Sequence, residues 1–113
     1  MQIKNQPILV ITTAPDSSIA NKIARKLIDN SLAACVQIDA AIQSLYRWKD
    51  TIETTSEFRL IIKTQDNHWK NICTLIDQVH PYEVPELVQI PITDTSPAYG
   101  DWLQRECNVN QEP

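Results

Sequence analysis

The run His80-Pro81-Tyr82-Glu83-Val84-Pro85-Glu86 gathers an imidazole, a phenol and two carboxylates into one short span. Its two prolines fix φ and stiffen the backbone, so these groups project from a rigid loop, which is how binding and proton-transfer sites are commonly built. Imidazole is the side chain whose charge changes near neutral pH. A structural reading has equal claim: the prolines shape a helix-to-strand turn, His80 sits favourably at a helix C-terminus, and Tyr82 packs on a sheet. No Ser-His-Asp, Cys-His or spaced-carboxylate constellation stands out, so the chain is not expected to be an enzyme.

Three cysteines, Cys35, Cys73 and Cys107, are odd in number and widely spaced, which fits neither a disulfide framework nor a CxxC metal site. Cys35 and Cys73 read as small core residues. Cys107, near the C-terminus, is expected to be exposed and open to oxidation or metal binding. With 10 basic and 14 acidic side chains the net charge is -4, and no basic cluster marks a nucleic-acid footprint. The apolar run Ile8 to Ile11 is too short for a membrane span or a signal-peptide core, which points to a cytoplasmic protein without membrane attachment. The single glycine, Gly100, removes every glycine-rich phosphate loop.

The elements that must position the loop centre on a long hairpin from Leu32 to Gln65. A three-residue loop, Lys49-Asp50-Thr51, pairs Trp48 with Ile52, Tyr46 with Thr54, Ile42 with Phe58, Ala40 with Leu60 and Ile38 with Ile62, and gathers an apolar face. The other face pairs Arg47 with Glu53, Gln43 with Glu57 and Gln37 with Lys63. A two-residue loop would set Ile42 against Glu57 and is rejected on that ground. From Ala33 to Trp48 the arm spans ~54 Å at about 3.4 Å per residue, longer than the ~35 Å diameter of a compact domain of this size. The tip with Tyr46, Trp48 and Ile52 must overhang, and burial by another subunit is expected; the competing reading is a bulge that folds the hairpin back on its own core.

Around the hairpin, residues 7–13 suit a central strand buried on both faces, and Asp16, Ser17 and Ser18 offer N-cap oxygens to a helix through Ile28. Asn67 caps a second helix that His80-Pro81 stops. Residues 87–92 form a fourth strand between prolines, and Ser96-Pro97 opens a short C-terminal helix through Leu103, beyond which the chain frays after Cys107. The order specifies an α+β fold, the ferredoxin-like split βαβ arrangement: one domain over 1–113, with a four-stranded antiparallel sheet and two helices on one face.

The HPYEVPE run, with Ala33-Ala34-Cys35-Val36, Ser44-Leu45-Tyr46-Arg47-Trp48, Glu57, Lys63-Thr64 and Thr13-Ala14-Pro15-Asp16, resembles the CutA divalent-cation-tolerance family across nearly the whole chain. The resemblance implies a tight homotrimer joined through its long strands and a role in tolerance to copper or another divalent cation, with no organic cofactor. Its recurrent polar and aromatic positions, Tyr46, Trp48, Glu57, Lys63, His80, Tyr82 and Glu86, would line an intersubunit cleft. Some bacterial members carry a cysteine and a second histidine where this chain has Thr12 and Val79, and glycines where it has Asp50 and Thr95. His80 therefore stands without those two donors, and Glu83, Glu86 or a neighbouring chain would have to complete a metal site, since copper needs several converging donors. A second class of function is a trimeric signalling or scaffold module, resembling the P-II regulators in architecture, that takes a small ligand or a protein partner in the cleft.

Overall fold

The computed structural model describes residues 5–108. Strand β1 (Pro7–Ala14) runs into helix α1 (Ser17–Asp29), where Asp16 Oδ1 accepts the Ile19 N–H at 2.8 Å and caps the first turn. Ala20, Ile23 and Leu27 recur at helical spacing and are wholly buried. The chain reverses at Ser31, a non-glycine at φ 55°, into strand β2 (Cys35–Trp48), strand β3 (Thr51–Gln65) and a 3-10 turn (Asp66–His68). Helix α2 (Trp69–Val79), strand β4 (Val88–Pro91) and helix α3 (Pro97–Glu106) complete it. The expected Asn67 cap gives way to this 3-10 turn, which moves the helix start to Trp69, with no side-chain cap on His68.

Four strands form one antiparallel sheet in the order β2-β3-β1-β4. Its covered face sets Ile8, Val10, Leu60 and Ile62 against Ile23 and Leu27 of α1 and Ile72 and Ile76 of α2. That is the split βαβ arrangement with both helices on one side. The opposite face, carrying Leu9, Ile11 and Ile61, bears Val88 and Ile90 at 44% and 41% exposure. Residues 7–13 were expected to be buried on both faces; they instead alternate between half-buried and buried from Pro7 to Thr12, and only the end of the strand, Thr12 to Ala14, is buried throughout.

The hairpin is as long as its length implied, and the molecule measures 50 × 25 × 24 Å. Its register differs from the expected one. The loop has two residues, Lys49 and Asp50, at φ 50° and 66°, both positive as a type I′ turn requires. Trp48 therefore faces Thr51, Tyr46 faces Glu53, and Ile42 faces Glu57. Between Asp39 and Ile42 the strand carries a bulge, with Ala41 at φ 59°, so that below it Ile38 pairs with Leu60 and Val36 with Ile62. The bulge lets tip and base follow different registers, which a single alternating pattern cannot represent. It does not fold the hairpin back.

Cys107 is buried, against the expectation of exposure. Helix α3 returns its C-terminus to the core edge, where the Cys107 Sγ lies 3.7 Å from Thr64 Oγ1 and its carbonyl accepts a 2.7 Å bond from His68 Nε2. Burial raises the Cys107 thiol above its usual range. Cys35 and Cys73 are half-buried. The expected fraying past Cys107 falls, apart from Asn108, outside the described residues.

Candidate functional site

The His80–Glu86 loop leaves α2 and crosses to β4 beside the end of β1. Its first residue is an anchor. His80, 8% exposed, lies with Nε2 2.6 Å from the Thr13 carbonyl, and Nδ1 accepts the Tyr82 N–H at 3.1 Å. A backbone N–H can only donate, so the ring proton resides on Nε2, which donates to Thr13. Both nitrogens are thereby engaged by backbone, and the imidazole ties loop to sheet. The Tyr82 ring lies 4.7 Å from it, centroid to centroid.

Tyr82 reaches over the sheet and donates from its hydroxyl to Glu57 Oε2 at 3.1 Å. Glu57, set on β3 opposite Ile42, is 5% exposed. Partial burial first, and then the negative Glu57 beside it, push the Tyr82 phenol up to about 12. Glu86, whose side chain stands at the rim, is also raised, by desolvation against the groove wall and by Glu57, with Arg59 acting in the opposite sense. Arg59 itself is held by Asp39 at 2.9 Å.

These groups line an open groove of about 890 Å³ between the loop and the overhanging hairpin. Tyr46 and Trp48 of β2 and Glu57 of β3 form one wall, and Tyr82, Glu83 and Glu86 the other. Register explains the first wall: Ser44 pairs with Thr55, and Tyr46, Trp48 and Glu57 lie at even steps along the same two strands, so all five share one face. Glu83 is exposed, with Lys49 Nζ at 3.8 Å, a weak pair that bridges the hairpin tip to the loop.

Of the expected cleft residues, Tyr46, Trp48, Glu57, Tyr82 and Glu86 come together. His80 lies behind them as the anchor. Lys63 does not join them within one chain: it lies six residues along β3 from Glu57, about 20 Å, with its Nζ 5.6 Å from the Tyr99 ring centre. Thr13, Ser44 and Thr55 also line the groove. Ser44 and Thr55 escaped notice because they become neighbours only in the two-residue-loop register. Among the described residues Thr55 Oγ1 is buried there without a partner. Among the described residues, no group of three or more His, Cys, Asp or Glu side chains is placed to hold a metal ion, and no helix is long and apolar enough to cross a membrane.

A family model described as the CutA1 divalent ion tolerance protein matches residues 8–106. Over 96 residues the chain is 35% identical to the divalent-cation tolerance protein CutA of Pectobacterium atrosepticum, covering 85% of this chain and 87% of that one. Its fold matches CutA1 from the psychrotrophic bacterium Shewanella sp. SIB1 with a TM-score of 0.87 and 38% identity, covering 92% of this chain and 97% of that one. The periplasmic divalent cation tolerance protein CutA of Archaeoglobus fulgidus matches with a TM-score of 0.86 and 31% identity over 89% of this chain and 98% of its own.

Proposed function

Because this chain belongs to the CutA1 divalent ion tolerance family, we propose that it works as a single-domain, non-enzymatic homotrimer in divalent-cation tolerance, with copper as the cation to test first. The observation that carries this reading is the uncovered apolar surface. Val88 and Ile90 on the open sheet face, and Leu45, Tyr46, Trp48 and Ile52 at the hairpin tip, are exposed large hydrophobics continuous with two strand edges. Such surface favours association with further copies. Three unpaired cysteines fit a reducing, cytoplasmic setting.

A direct metal role for His80 requires it to release one of its two backbone bonds, with Glu83 or Glu86 then approaching from the loop. The engaged imidazole and the aromatic groove favour a second reading, a trimeric ligand-binding or scaffold module whose cleft is this groove. Calorimetric titration of Cu(II) into the purified protein, with mass by light scattering on the same sample, separates the two. Saturable binding at one ion per chain of a trimer supports the copper reading. A trimer that binds no copper moves the function to the groove, and a monomer at micromolar concentration refutes both.

A further inference from the structure

Glu57 is a carboxylate at 5% exposure, yet among the described residues no cation lies within ion-pair distance of it. One oxygen, Oε2, accepts from Tyr82, and that neutral hydroxyl supplies no countercharge. Buried carboxylates are ordinarily matched by a cation. The residues around Glu57 say which kind. Within one chain the lining adds the carboxylates Glu83 and Glu86 and the rings of Tyr46, Trp48 and Tyr82, with no lysine or arginine, Lys63 lying about 20 Å along β3. Lys49, at the rim, lies 3.8 Å from Glu83 and 5.6 Å from the Trp48 ring centre, both exposed contacts, and Arg59 is held by Asp39.

Aromatic faces attract weakly hydrated cations, and a carboxylate adds a directional acceptor for N–H donors. A bare divalent ion is served poorly by rings and wants converging oxygen, nitrogen or sulfur donors, whereas an alkylammonium or guanidinium gains from both components. The size agrees: about 890 Å³ lies within the range of small-molecule sites. Seating of Trp48 at the hairpin tip makes it a natural cover for the alkyl part of such a ligand.

We propose that the groove binds a small organic cation, an alkylammonium or alkylguanidinium, its N–H groups on Glu57 and its carbon chain against Tyr46 and Trp48. The proposal rests on the groove being the ligand cleft of the trimer. It is tested by calorimetric titration of n-butylammonium chloride and of agmatine into the full chain, against sodium chloride at matched ionic strength and against tetramethylammonium and CuCl2. Light scattering reports the mass of each sample.

Saturable binding of both N–H cations below about 10 mM, weakened about tenfold or more by Glu57→Gln and by Trp48→Ala, with tetramethylammonium weaker, is the expected result. Trp48 is 38% exposed in the single chain and belongs to the surface assigned to association, so the mass of Trp48→Ala is read beside its binding: weakened binding by a variant of wild-type mass supports the ligand contact should Glu57→Gln fold poorly. Absence of saturable binding by a trimeric sample overturns the proposal and leaves the assembly standing. Binding unchanged in both variants, or confined to CuCl2, overturns it as well. A wild-type sample that is not trimeric refutes the cleft itself, whatever the amines do.

Discussion

Replacing Tyr82 with phenylalanine deletes one oxygen and tests the polar link on which the groove depends. The ring keeps its volume and its 4.7 Å contact with His80, so the packing change is small. What is lost is a 3.1 Å hydrogen bond to a carboxylate at 5% exposure. Hydrogen bonds to charged groups contribute about 1.5–3 kcal/mol, and because the groove is open, water can take over the freed oxygen and hold the cost near the lower end, about 1.5 kcal/mol. Urea denaturation at fixed protein concentration reads this as a lower midpoint at unchanged slope. The pH dependence gives an independent check. The Tyr82 phenol rises from the ordinary 10.0 to about 12 in the folded chain, so the folded state holds that proton more tightly than the unfolded state. Its stabilisation is complete below pH 10 and is lost as pH rises towards 12. The gap between wild type and Tyr82→Phe therefore narrows over that window, and the Tyr82 ionisation disappears from the ultraviolet absorbance titration of the variant. A loss under about 0.5 kcal/mol at pH 7, together with an unaltered absorbance titration, refutes the assigned contact.

Further outcomes follow from other residues. A Cβ added at Gly100 would meet Thr95 Oγ1, so Gly100→Ala should cost about 1–3 kcal/mol in thermal melts, and Thr95→Ala in the same chain should restore most of it. Asp50→Gly places the residue suited to φ 66° in the hairpin turn; a gain of up to about 1 kcal/mol is expected, and a clear loss would contradict the two-residue turn. Cys107 should resist thiol reagents until global unfolding while Cys35 and Cys73 react earlier, which mass spectrometry of partly labelled protein can resolve. Val88→Asp puts a charge on the open sheet face, and a fall in solution mass is the expected effect on the proposed trimer.

Local signals were sufficient for much of this molecule. Asp16 before an apolar stripe at helical spacing, His80-Pro81 ending another, and prolines flanking a short fourth strand each act over a few residues through caps, φ restriction and face periodicity. Those terms fix the order of elements, and the order leaves few arrangements besides a split βαβ sheet. Tyr46, Trp48, Glu57, Tyr82 and Glu86 could be grouped beforehand only through the resemblance to the CutA family, whose recurrent polar and aromatic positions they are; their spacing along the chain does not bring them together. What tertiary structure alone decided is who faces whom. The bulge at Ala40-Ala41 adds one residue to one strand, which reverses every face beyond it, and no alternation in sequence records an inserted residue. The two-residue turn sets Glu57 opposite Ile42 and Ser44 opposite Thr55, and the bulge then lets the base pair Ile38 with Leu60. Likewise His80 became an anchor instead of an open donor, because the carbonyl that takes its proton belongs to Thr13, 67 positions away in the chain. Cys107 is buried because α3 packs back beside Thr64 and His68, a contact between distant segments that helix spacing cannot foretell.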